Sequence, residues 1–121
     1  LHKMKVREIY PMDKTKEQFI AAREKRDLTQ REWAKLLKVS YSSVTKWESD
    51  AHDSKPPGYI MREIREMDRN PIFLDLDEET QKRLSKKLAA SGQTVEEYLA
   101  GLLKAILTVA LLVGGAWAFL A

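Results

Sequence analysis

Between Leu28 and Ser49 the chain reads LTQREWAKLLKVSYSSVTKWES, and two helix starts fall inside this stretch with almost no room between them. Thr29 and Glu32 have capping-box spacing, in which each side chain satisfies an otherwise orphaned backbone N–H at a helix start. The helix they open runs through Leu37. Lys38-Val39-Ser40 leaves only a tight turn, and Ser40 caps a further helix from Tyr41 to about Ser49. Two helices joined this closely pack through Trp33, Ala34, Leu37, Val39, Val44 and Trp47. Ala34 is small where the two axes cross. The outer face of the second helix, Tyr41, Ser42, Thr45 and Lys46, is polar and stays free.

The flanks extend this into a four-helix unit. Thr15 and Gln18 also have capping-box spacing, and Phe19, Ile20, Ala22 and Arg23 follow. Asp50–Pro57 reads as a loop. Pro57 suits the first turn of a fourth helix that carries Ile60, Ile64 and Met67 on one face. Asn70-Pro71 breaks that helix and marks a boundary, which gives a first domain over residues 1–70.

The 28–49 pattern resembles the lambda-repressor-like, or XRE-type, helix-turn-helix family. The similarity covers about residues 15–69 and continues into Pro56-Pro57-Gly58-Tyr59-Ile60. The resemblance implies a DNA-binding fold whose third helix enters a major groove while the second lies over the backbone. It places base reading on Tyr41, Ser42 and Lys46, with Ser43 and Thr45 supporting. Lys46 suits guanine O6/N7, Ser42 several bases, and Tyr41 a thymine methyl or a phosphate. Gln30 corresponds to the family's phosphate-contacting glutamine, and Arg23 with Glu48 to a structural salt bridge. Lys38 departs from the pattern, since the family usually has Gly in that turn for a left-handed backbone. Lys can adopt that conformation at about 1 kcal/mol of strain.

Residues 71–104 read as a second module. Ile72-Phe73-Leu74-Asp75-Leu76 suggests a short strand with Ile72, Leu74 and Leu76 on one side. Asp77 caps a helix with Leu84 and Leu88 inward, ended by Ser91-Gly92, and Thr94 with Glu97 opens another. This order, over about 71–106, resembles a ribbon-helix-helix unit. That implies a homodimer with paired strands. The outward strand positions, Phe73 and Asp75, are poor DNA readers, so dimerisation is the expected role. The alternative is a helical hairpin packed on the first module. Lys82, Arg83, Lys86 and Lys87 form a basic cluster on the first of these helices.

The last segment, Ala105–Ala121, is 17 residues without a charge. As a helix it spans about 25 Å, and Leu102, Leu103 and a snorkelling Lys104 bring it to about 30 Å, a bilayer core. It reads as a transmembrane helix. A buried helix in an oligomer would look alike. Ala110, Gly114 and Ala118 form a small-residue stripe, and Trp117 suits the far interface. The basic flank lies on the N-terminal side, which places residues 1–104 in the cytoplasm.

Composition narrows the function. There are no cysteines, which excludes disulfides and thiol chemistry. Residues 1–70 hold 16 Lys/Arg against 12 Asp/Glu, while residues 71–121 hold 5 against 6, so the positive excess lies with the helix-turn-helix. The two histidines, His2 and His52, suggest no site, and no metal-ligand cluster, phosphate loop or nucleophile motif is found. No apolar N-terminal stretch suggests a signal peptide. The expected protein is mainly α. It is not an enzyme and needs no cofactor. It is a sequence-specific double-stranded DNA-binding transcriptional regulator, dimeric, and tethered to a bacterial inner membrane, an architecture similar to plasmid- or phage-type regulators. The alternatives are a membrane-anchored protein-interaction adaptor, or a soluble repressor or antitoxin whose tail is oligomer core.

Overall fold

The structure, a computed structural model, describes residues 13–120, with side chains through Gly115. The lead-in, with the Met4/Val6 alternation and His2, lies outside these residues, as do the side chains of Trp117 and Ala118. The regular elements of the described residues are all helices. In order come α1 (Lys14–Glu24), α2 (Gln30–Leu37), α3 (Tyr41–Glu48), α4 (Gly58–Asp68), α5 (Pro71–Leu74), α6 (Glu78–Ser91) and α7 (Val95–Leu120).

Local chemistry sets most of the boundaries. Thr29 and Glu32 form the full reciprocal capping box on α2, and Thr94 and Glu97 do the same ahead of α7, at 3.0 and 3.1 Å. Ser40 accepts from the Ser43 N–H at the start of α3, and Asp77 accepts from the Thr80 N–H at the start of α6. Gly92 closes α6 in the left-handed region, at φ 70°. Two starts differ from expectation, by two residues and by one. Asp13, not Thr15, caps α1, because its carboxylate reaches the Thr15 N–H at 2.7 Å and favours the positive helix end. Pro57 is the residue before α4 rather than its first.

The core of the first four helices is aromatic. Phe19 and Trp33, both fully buried, lie 5.6 Å apart between ring centres, and Phe19 meets Trp47 edge-on at 5.7 Å. Leu28, Ala34, Leu37, Val44, Ile60 and Ile64 close around them. Ala34 is 4% exposed, as its small size at the helix crossing requires.

The strand expected at residues 72–76 is not present. Pro71–Leu74 forms one helical turn instead, and the ribbon-helix-helix resemblance is unsupported. Asn70 is the cause: its side chain caps the Ile72 N–H at 3.0 Å, and Pro71 in first position is set for a helix. The facing reverses as a result. Phe73, expected outward, is 7% exposed, while Ile72 and Leu74 are 43% and 62% exposed. Phe73 joins Leu84, Leu88 and Val95 in a second cluster, with Leu36, Leu76, Tyr98 and Leu99 against it.

That cluster is fused to the first. Leu36 of α2 packs against both, and Ala89 of α6 is buried in the first. Lys86 of α6 reaches Glu32 of α2 at 3.3 Å. Arg26 is a further tie. Its guanidinium, 3% exposed as a side chain, bonds Asp68 at 2.6 Å and the Ala22 carbonyl, and it faces the rings of Trp33 and Phe73. Beyond Leu99, α7 leaves this body, and every described residue from Ala100 to Gly115 is exposed. The helix runs through Gly114-Gly115 without a break.

Candidate nucleic-acid interface

The face of α3 is positioned from three directions. The first is the turn before it. Lys38 adopts φ 60°, ψ 42°, the left-handed conformation the turn requires. The Val39 N–H then reaches back to the Ala34 carbonyl at 3.0 Å, a Schellman closure with Lys where Gly is usual. This closure fixes the angle at which α3 departs from α2.

The second support is a carboxylate hub. Glu48, 8% exposed, accepts from Arg23 Nε at 2.8 Å and from Arg23 Nη2 at 3.0 Å. Gln30 Nε2 donates to the same carboxylate at 2.9 Å, and Arg23 Nη1 also donates to the Leu28 carbonyl. The last turn of α3 is thereby tied to α1 and to the start of α2. Arg23 and Glu48 meet as the resemblance implies. Gln30 sits at the first position of α2, half-buried, with its amide turned toward Glu48.

The third support had no signature in the sequence. Lys16 of α1 is 4% exposed, and its Nζ donates to the carbonyls of Lys46, Trp47, Ser49 and Ser54. One ammonium thus caps the carboxyl end of α3 and gathers the loop that follows. Burial pulls its pKa below the ordinary lysine value, opposed by Asp13, Asp53 and Asp50. A cation at a helix C-terminus also meets the negative end of the dipole.

These supports present Tyr41, Ser42 and Lys46 at the surface, all exposed, with Tyr41 at 40%. The Ser42 hydroxyl and the Lys46 ammonium have no hydrogen-bond partner among the described residues. Ser43 and Thr45 are half-buried, and their hydroxyls bond locally at the surface: the Ser43 hydroxyl accepts from Ser40 at 2.8 Å, and Thr45 Oγ1 donates to the Ser42 carbonyl at 2.8 Å. Arg31, at the second position of α2, was not singled out by sequence. Its guanidinium carbon stands 4.1 Å from the Tyr41 ring centre. Only the spacing of ten residues across a tight turn hints at that contact.

Among the described residues no group of His, Asp or Glu is arranged to hold a metal ion. Two short helices crossing at a tight turn, with a polar face directed outward from the second, make a helix-turn-helix unit. Residues 20–66 match the protein-family model described as Helix-turn-helix, in keeping with the XRE-type resemblance of this segment. No curated protein and no solved structure matches the chain.

Proposed function

We propose that the protein is a sequence-specific transcriptional regulator that reads the major groove of double-stranded DNA with α3. Tyr41, Ser42 and Lys46 are the base readers, and Gln30, Ser43 and Thr45 support them or meet the backbone. The observation that carries this reading is the exposed polar face of α3, where the Ser42 hydroxyl and the Lys46 ammonium have no partner among the described residues, held at its carboxyl end by Lys16 and Glu48 within a family-matched fold. Gln30 contributes chiefly through its position at the start of α2, since its side-chain amide already serves Glu48.

The regulator acts as a homodimer at the cytoplasmic face of a bacterial membrane. Supporting the anchor, the most apolar 18-residue window of Val95–Gly115 has a mean hydropathy of 1.9, and none of that window is buried. Supporting the dimer, Ile72, Leu74, Leu102 and Leu103 remain exposed in a single copy.

Selection from a random duplex pool, at stated salt, tests the core of this reading. An enriched motif is expected. The folded Tyr41→Ala/Ser42→Ala/Lys46→Ala variant should lose it, and unchanged binding by that variant would overturn the reading face. Failure to enrich any motif would favour a protein-binding adaptor. The anchor is tested by detergent-dependent fractionation of the full chain against a truncation after Lys104. A full chain that stays soluble without detergent would reassign the tail to an oligomer core.

A further inference from the structure

The stack between Arg31 and Tyr41 joins the two helices of the reading unit at their amino-terminal ends. Arg31 is exposed, and its guanidinium has no ion pair or hydrogen bond among the described residues. Every nearby basic side chain with a fixed position is held by oxygen: Arg23 by Glu48, Arg26 by Asp68, Lys16 by four carbonyls. Arg31 is held by an aromatic face instead. At 4.1 Å from the ring centre the contact is of cation–π type, which orients the planar group and leaves its N–H edge unspent.

We propose that Arg31 is a DNA-phosphate clamp, held ready by Tyr41. The inference rests on the DNA-reading role of α3 and extends it to α2. In this fold the second helix crosses the sugar–phosphate backbone while the third enters the groove. A guanidinium on the second helix, leaning on the first residue of the third, stands at the border between the two. Its free N–H edge suits paired phosphate oxygens. The stack also limits Tyr41. One face of its ring is covered by Arg31, so Tyr41 meets DNA with its hydroxyl, its edge or its other face.

A phosphate contact positions without carrying sequence information. Three variants of the full chain, Arg31→Ala, Tyr41→Leu and the double, are compared with wild type across a salt series. Each is titrated on the selected duplex and on a scrambled one. Tryptophan fluorescence checks the fold, which exposed Arg31 does not support. Arg31→Ala should weaken both duplexes by the same factor, about three- to tenfold, and lower the salt slope by about 1. In the Tyr41→Leu background the same substitution should cost no more than about half as much on a logarithmic scale.

An unchanged affinity and slope for Arg31→Ala would overturn the proposal while the reading-face hypothesis stands. A loss confined to one base pair of the selected site would also overturn it, making Arg31 a base reader. An equal loss in both backgrounds would refute the part played by Tyr41. Wild type that binds neither duplex removes the DNA-reading role itself, and this inference with it.

Discussion

Replacing Lys16 by Met keeps a long apolar stem beneath α3 but removes the ammonium. The four carbonyls of Lys46, Trp47, Ser49 and Ser54 then lose a shared charged donor. The bond to the Trp47 carbonyl is buried, so that oxygen is left without water, at a cost of about 1–3 kcal/mol. The other three bonds are part-buried, and water recovers most of what they lose. Loss of a cation from the carboxyl end of a helix in a partly buried setting adds about 1–2 kcal/mol. Against this, Met returns the desolvation that pulls the Lys16 pKa down. The expected net loss is about 2–4 kcal/mol, a large fraction of the roughly 5–15 kcal/mol that holds an ordinary domain together. Urea unfolding followed by tryptophan fluorescence reads it directly, because Trp33 and Trp47 both lie in the core that Lys16 closes. A Lys16→Met variant within about 0.5 kcal/mol of wild type would refute the reasoning, since surface substitutions shift stability by no more than that.

Three further outcomes follow from the same geometry. Lys38→Gly relieves a left-handed side-chain residue at the turn, at φ 60°, and should raise stability by about 1 kcal/mol; a lower urea midpoint would argue against that source of strain. Glu48→Ala strands Arg23 and Gln30 and should cost about 2–4 kcal/mol. In a double-mutant cycle with Arg23→Met the two losses should be clearly less than additive, and strict additivity would show that the pair is not coupled. Acid should weaken the fold through its helix starts. The Thr29 backbone N–H holds the Glu32 carboxyl below its ordinary value of 4.5, with Lys86 helping, and Thr80 does the same for Asp77. A lowered folded pKa means that the stabilisation is complete above the unfolded value and is lost as pH falls through the folded one. Unfolding midpoints should therefore decline below about pH 4.5, and Glu32→Gln should flatten that decline.

Features that depend on near neighbours along the chain are legible from the residues alone. The capping boxes at Thr29/Glu32 and Thr94/Glu97, the caps Ser40 and Asp77 and the stop at Gly92 are bonds or backbone states spanning a few residues. Residue type and spacing suffice to read them. The apolar spacing that buries Trp33, Leu37, Val44 and Trp47 was legible for the same reason, and the family resemblance brought Arg23 to Glu48. Tertiary structure decided the rest. The alternation at Ile72–Leu76 fits a strand or a helical turn. A strand needs a partner, whereas the Asn70 cap and the packing of Phe73 against α6 favour the turn within one chain. Lys16 meets carbonyls 30 to 38 residues away, and Arg31 meets Tyr41 across the turn. Both contacts depend on the angles at which α1, α2 and α3 cross. No local pattern in sequence encodes those angles, because they are set by how the core side chains fill the space between helices.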